Sequence, residues 1–335
     1  MSLFTVFINL SSLLIFYLIY INKNFFIKKL NLIDSPNNKK IHKFKTPLIG
    51  GILIFLSLIY LIFINLLLDD KSFPINLVYI LFPIFIIGIL DDILNLSPTK
   101  KLLLLSAIII LFLYFNNFFL LKELYFDDFK KIYLLNTFFS FFITTLCLLL
   151  LINAFNMSDG INGLAHSISI LWLIILTILF DLSIIYYFII LIIFVSFILN
   201  YKGKYFLGNS GSLSLSLFIG LVAIYSYNTN NIYKNFVSVE KIILIFLIPG
   251  LDMLRLFILR IACKKSPFVG DLGHFHHFLI SNLPLRYAIF YYLLIILWPF
   301  IFLEFYKIKY SFIFAIQAIL FFFLVSYFKS KKNIK

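Results

Sequence analysis

The chain has 335 residues, of which 63% are hydrophobic and only 13% charged, whereas an ordinary globular domain is roughly a quarter charged. Water is therefore not its main solvent, and apolar stretches of bilayer-spanning length recur throughout, which excludes a soluble one- or two-domain fold. The net charge of +14 lies in short segments between those stretches, a pattern of membrane orientation that leaves no basic domain for nucleic acid.

At about 17 to 25 apolar residues per span, eleven spans are predicted. They cover 2–21, 48–68, 74–90, 101–120, 133–152, 164–180, 182–200, 208–228, 240–260, 286–303 and 311–328. The first follows no basic n-region and precedes no A-x-A-like cleavage site, so it reads as a retained span. Only Asp181 separates the sixth from the seventh, and Pro249-Gly250 predicts a kink in the ninth. The expected fold is an all-α membrane protein, a polytopic bundle forming one domain over 1–335, with no repeat and no tethered soluble domain. Cys147 and Cys263 lack metal-like spacing and read as packing residues.

Loop charge orients the bundle. The segments after spans one, three, five, seven and nine, together with the C-terminal tail, carry 20 Lys/Arg and 6 Asp/Glu; the opposite set carries 8 of each. The N-terminus is expected outside and the C-terminus in the cytoplasm of a bacterial inner membrane. Motif loops 22–47, 91–100, 153–163, 201–212 and 252–285 would then all be cytoplasmic. For most of the terminal lysines, topology and attraction to lipid headgroups are sufficient explanation.

Five polar clusters fall on that basic side. Asp91-Asp92 ends the third span; adjacent carboxylates at a membrane edge repel each other unless a cation compensates, and Mg²⁺ commonly takes one or two carboxylates plus phosphate oxygens. The outer pair Asp69-Asp70 reads instead as a solvated loop. Asn153, Asn156, Asp159 and Asn162 supply neutral and anionic oxygens, with Gly160 and Gly163 allowing tight turns beside a ligand. Gly208-Asn209-Ser210-Gly211-Ser212 opens a span with backbone N–H groups free for an anion, although a plain helix cap fits it as well. Asp252, Arg255, Arg260, Lys264 and Lys265 form the fourth cluster, and His274-Phe-His276-His277 the fifth. Adjacent His276 and His277 cannot easily share one zinc on a helix, so cationic side chains for diphosphate oxygens are the better reading. His166 has no evident role and is taken as structural. Together these groups suit attack of a phosphate oxygen on a diphosphate, assisted by Mg²⁺, at a bilayer edge where one substrate is a lipid.

At these residues the chain resembles the polyprenyl-phosphate N-acetylhexosamine-1-phosphate transferases of glycosyltransferase family 4, in particular the undecaprenyl-phosphate N-acetylglucosamine branch. The resemblance rests on Asp34-Ser-Pro36 with Lys39-Lys40-Ile-His42; Pro47-Leu-Ile-Gly50-Gly51; Asp91-Asp92 with Ser97-Pro98 and Lys101; Asn153 to Ala165; Gly208 to Ser212; and Pro249-Gly-Leu-Asp252 with Lys265-Ser-Pro267-Phe268 and the histidine motif. It covers nearly the whole chain. It implies transfer of N-acetylhexosamine-1-phosphate from a UDP-sugar to undecaprenyl phosphate, with release of UMP and Mg²⁺ (or Mn²⁺) as cofactor. The product would start a lipid-linked cell-surface glycan such as a lipopolysaccharide O-antigen, and a homodimer is compatible with it. By the resemblance, Asp91, Asp92, Asp159, His276 and His277 would be catalytic, and Asp91, Asp92, Asn156 and Asn209 would hold the metal. Lys39, Lys40, His42, Lys101, Asn153, Asn162, Arg255, Lys265 and His274 would bind substrates.

Three departures stand out. Asn162 and Asn209 replace the family's usual aspartates, each removing one negative charge from the expected metal site, and Leu272-Gly273 replaces the usual arginine before the histidine motif. Metal affinity is expected to fall unless Asp252 or Asp159 compensates. The alternative expectation is a catalytically silent relative that binds lipid carrier or nucleotide sugar.

Overall fold

The computed structural model describes residues 3–35, 44–67, 74–232, 236–266, 272–306 and 308–334. Lys39, Lys40, His42, Pro267, Phe268 and Asp271 lie outside them.

Helix α1 (Leu3–Ile21) bends by 51° into the short α2 (Lys23–Leu30). A two-residue antiparallel pair, β1 (Ile33–Asp34) with β2 (Thr46–Pro47), leads into α3 (Gly50–Leu67). Then come α4 (Leu77–Leu94), α5 (Pro98–Phe115), the hairpin β3 (Glu123–Phe126) and β4 (Lys131–Leu134), α6 (Thr137–Ser158), α7 (Leu164–Phe180) and α8 (Ile184–Tyr201). The chain finishes with α9 (Gly208–Ile232), α10 (Val239–Ala262), α11 (Phe275–Asn282), α12 (Leu285–Phe305) and α13 (Tyr310–Ile334).

Among the described residues eight helices are long and apolar enough to cross a membrane, or nine if the bent α1–α2 pair counts as one. The other two predicted spans coincide with α3 and α7, apolar helices of about five turns that fall just short of that length. The protein is an all-α, multi-pass membrane protein. Exposed Leu, Ile and Phe on the outer helices, such as Leu103, Ile178 and Phe323, face where lipid would be.

Helix α9 is the axis of the bundle: 89% of its span is buried, against 28–44% for the other seven. It packs against α3, α4, α6 and α7. Two of its serines make this tolerable, because Ser214 and Ser216 donate back to the carbonyls of Ser210 and Ser212 at 2.7 and 2.6 Å and so pair their hydroxyls in an apolar interior. Close approach is allowed by Gly51 of α3 and Gly88 of α4, where a Cβ would collide with Ser210.

Two boundaries differ from the sequence expectation. α4 runs on to Leu94 and α6 to Ser158, so Asp91, Asp92, Asn153 and Asn156 sit on final helical turns rather than in loops. Polar residues stay helical here because each finds a partner: Asn153 Nδ2, for instance, donates to the Leu149 carbonyl at 2.7 Å. α10 continues unbroken through Pro249. The hairpin and the short helices α2 and α11 were not anticipated.

The hairpin marks the end of the bundle away from these residues. Its turn N–H groups at Asp127 and Asp128 donate to buried Glu240 of α10, both at 3.2 Å, while the Asp128 carboxylate caps α13 by accepting from the N–H of Tyr310 and Ser311 at 2.7 and 2.8 Å. From there α13 runs to the opposite end, where Asn282 of α11 donates to the Phe328 carbonyl at 2.9 Å.

Candidate active site

The start of α9 collects residues from distant parts of the sequence. Asp92 points at it: the N–H groups of Asn209 and Ser210 donate to the Asp92 carboxylate at 2.7 and 3.1 Å, and the Ser210 hydroxyl does so at 2.9 Å. The anion expected at this helix N-terminus is therefore the protein's own carboxylate, placed where the helix dipole favours it. Gly208, at φ +74°, makes the approach possible, since a Cβ there would lie 2.8 Å from Asp92 Oδ2.

Asp91 faces the other way along the same turn. Buried Lys101 of α5 donates to Asp91 Oδ2 at 2.8 Å and to Asn209 Oδ1 at 3.1 Å, and the Leu96 N–H donates to Asp91 Oδ1 at 2.9 Å. One ammonium thus sits between two of the residues expected to hold metal. Another of the four, Asn156, accepts from the Ser212 hydroxyl at 2.6 Å.

Asp159 ends α6 as its C-cap residue. It is the one acid of this group with no hydrogen-bond or ion-pair partner among the described residues. Burial, with the neighbouring Asp92 charge adding to it, pushes its pKa up to about 7. The residue as a whole keeps some exposed area although protein surrounds its carboxylate.

The histidine motif is brought to the same place through Gly160, where any side chain would run into His276 Nε2. His276 is 1% exposed, and neither ring nitrogen has a hydrogen-bond partner among the described residues. Burial, with His277 and His274 adding to it, holds its pKa well below the usual histidine value, so the ring is neutral. The His276 and His277 rings lie 4.1 Å apart. His274 is fixed from α10: its Nδ1–H donates to Asp252 Oδ2 at 3.0 Å, and the Phe275 N–H donates to both Asp252 oxygens at 3.2 and 3.1 Å. Arg255 completes the brace, donating to Asp252 Oδ1 at 2.7 Å and to the Gly273 carbonyl at 2.6 Å.

The structure therefore brings Asp91, Asp92, Lys101, Asn156, Asp159, Asn209 and His276 into one cluster. Asp252, Arg255 and His274 stand behind His276 as a support for α11. Asn162 lies beside the segment entering α9, with Nδ2 3.6 Å from where a Cβ on Gly203 would be. Asn153 is turned back onto its own helix, and Lys265 is exposed after α10. Asp252 is fully engaged by Arg255, His274 and α11, which leaves Asp159 as the acid available for compensation. Sequence reasoning did not single out Lys101 as a bridge between Asp91 and Asn209, or Ser212 as the partner of Asn156; contacts across 108 and 56 residues leave no periodic signal.

The donor chemistry fits a hard cation. Asp159, Asp92, Asp91, Asn156 and Asn209 are all oxygen ligands, and two like charges at Asp92 and Asp159 are uncompensated between themselves. Among the described residues no three His, Cys, Asp or Glu side chains form a ready cage, so a cation here would depend on one or two carboxylates and on oxygens from substrate.

Residues 74–227 match the family model described as glycosyl transferase family 4, a stretch running from the start of α4 through most of α9 and including every acid of the cluster. Over that stretch, a little under half of its length, the chain is similar to glycosyl transferase family 4. Whole proteins similar to this chain include undecaprenyl-phosphate alpha-N-acetylglucosaminyl 1-phosphate transferases. The one from Escherichia coli K12 is 28% identical over 304 residues, covering 84% of this chain and 78% of the relative. Those of Thermotoga maritima and Yersinia pestis are 26% and 24% identical, covering 75% of this chain and 74% and 70% of theirs. The family match ends before the histidine motif; Gly160 is what joins that motif to the matched part.

Proposed function

We propose that the protein transfers an N-acetylhexosamine-1-phosphate, N-acetylglucosamine-1-phosphate foremost, from its UDP-sugar to undecaprenyl phosphate, releasing UMP. A phosphate oxygen of the lipid forms a bond to the sugar-bearing phosphorus, and the bond from that phosphorus to the oxygen of UMP breaks. The reading is carried by one observation: segments spread over some 185 residues converge on the first turn of α9, from Asp91 to His276.

Within that cluster the residues divide by chemistry. Asp159 is the free carboxylate, and it is suited to hold the cation or to keep the lipid phosphate deprotonated. Asp92 fixes α4 to α9, so that Asn209 and Asn156 present carbonyl oxygens at a set distance. Lys101 is the cation nearest the acids, and His276, neutral and unpartnered, is a hydrogen-bond donor for a phosphate or sugar oxygen. Mg²⁺, with Mn²⁺ as a substitute, would neutralise diphosphate charge when held by Asp159, Asp92 and the neighbouring amide oxygens. The site end of the bundle is assigned to the cytoplasmic face of a bacterial inner membrane, because the basic loops lie there and nucleotide sugars are available there.

Membranes carrying the protein, given labelled UDP-N-acetylglucosamine, undecaprenyl phosphate and Mg²⁺, are expected to yield labelled lipid and free UMP. Absence of turnover with every UDP-N-acetylhexosamine would sink this reading. A silent binding protein is then the second reading, favoured by the pairing of Asp91 and Asn209 with Lys101.

A further inference from the structure

Both halves of the candidate site end on a single buried side chain that carries none of the expected chemistry. Asn200, on the last turn of α8, is 2% exposed. Its Oδ1 accepts from the Gly163 N–H at 2.6 Å, and its Nδ2 donates to the Tyr205 carbonyl at 2.9 Å. Gly163 closes the segment that carries Asp159, Gly160 and Asn162, at φ +85°, with Phe197 2.9 Å from where a Cβ would be. Tyr205 lies in the strap from Lys202 to Leu207 that feeds Gly208 and the first turn of α9.

We propose that Asn200 is a positioning residue, whose carboxamide sets the spacing between the Asp159 half of the site and the Asp92–Asn209 half. The proposal rests on the transferase reading above for its catalytic consequence. Only a primary amide of this length offers an acceptor to one backbone and a donor to the other from the same position. An aspartate would keep the acceptor but place a carboxylate against the Tyr205 carbonyl. A leucine would leave both backbone groups buried without partners.

The strap is otherwise built to transmit that setting rather than absorb it. Tyr205 is fully buried, and its hydroxyl meets Ser196 Oγ at 2.7 Å and the Ser196 carbonyl at 3.2 Å. Ser196 Oγ in turn lies 2.9 Å from His166 Nε2, which gives that buried histidine a place in the same network. On its other side the strap pairs with the entry to α3: Phe206 N–H donates to the Pro47 carbonyl at 2.8 Å, and Gly50 and Gly51 N–H donate to Phe206 and Leu207 at 3.0 and 2.9 Å. Shifts at Tyr205 therefore pass to Gly208 and hence to the N–H groups that hold Asp92.

The test uses the full-length protein in detergent with Asn200→Asp and Asn200→Leu, and two readouts. Amide hydrogen exchange is followed in peptides covering 159–166 and 204–212, and kcat and KM are measured with UDP-N-acetylglucosamine, undecaprenyl phosphate and Mg²⁺. For Asn200→Leu exchange should quicken in both peptides together, and for Asn200→Asp kcat per folded molecule should fall by about tenfold or more while either KM stays within about threefold. Exchange that quickens in only one of the two peptides for Asn200→Leu, or a wild-type kcat in a folded but less stable variant, would overturn the proposal. Unmodified protein that turns nothing over would instead overturn the transferase reading, and the exchange data would still decide whether Asn200 joins the two halves.

Discussion

Asp92→Asn separates two roles that a carboxylate can have at this position, because they predict stability changes of opposite sign. If Asp92 served only to hold a cation, removing its charge in metal-free protein would relieve repulsion with Asp159 and stabilise the fold. The geometry gives it another role, as the acceptor for two backbone N–H groups and a hydroxyl at the start of α9. Asparagine keeps one acceptor oxygen for Asn209 but turns an NH₂ toward Ser210, whose N–H then loses its partner. A stranded buried donor costs about 1–3 kcal/mol, and the charge-assisted part of the remaining bond adds about 1 more. Lost interaction with the helix dipole adds about 0.3–1 kcal/mol. Set against the relief of repulsion and of carboxylate desolvation, a net loss of about 2 kcal/mol is expected. With an unfolding entropy of about 2.1 cal/mol/K per residue, that corresponds to a Tm lower by about 3 °C for a chain of 335 residues. Thermal unfolding in EDTA is the assay, and turnover should be abolished in parallel. A Tm that is unchanged or raised would refute the capping argument.

Three further outcomes follow from the same geometry. Gly160→Ala should leave the protein folded but lower turnover by at least about a hundredfold, since the new methyl displaces His276; a wild-type rate would separate the histidine motif from the site. Because the Asp159 pKa is raised to about 7, the carboxylate is neutral below that pH and ionised above it, so kcat/KM should rise through pH 7 and its midpoint should move to lower pH as Mg²⁺ is increased; a profile flat between pH 5 and 8 would remove Asp159 from the reaction. Asn209→Asp adds a carboxylate beside Lys101, 3.1 Å from the present amide oxygen, and should preserve or raise turnover, most visibly at low Mg²⁺ in a titration of rate against metal.

Much of the fold is legible in the sequence, for a physical reason: hydrocarbon demands an apolar run of fixed length, and every predicted span falls on a helix. The places where prediction slipped are places where polar side chains are satisfied at a distance. Asp91 and Asp92 read as the start of a loop because two acids have no business on a helix in lipid, yet Lys101 and the α9 N-terminus supply their partners. The hairpin at Glu123–Leu134 is similarly invisible, since its turn is held by Glu240, more than a hundred residues on. The five polar clusters were readable individually. What could not be read was which of their charges are already used inside the protein.

That allocation bears on how a diphosphate would be received. The obvious anion sites of the sequence are a helix N-terminus, a lysine and an arginine, and all three are engaged: the first by Asp92, Lys101 by Asp91 and Asn209, and Arg255 by Asp252 and the Gly273 carbonyl. A buried cation with one carboxylate partner still has donor capacity, since an ammonium has three hydrogens and Lys101 uses two of them in these contacts. Its third hydrogen can reach a phosphate oxygen without breaking the pair to Asp91. The helix N-terminus has no such reserve at Asn209 and Ser210, whose N–H groups are spent on Asp92. On the transferase reading, recognition of a diphosphate would therefore fall to Lys101, to the neutral His276 and to any cation held at Asp159, while the α9 terminus and Arg255 fix the frame on which those three groups are mounted.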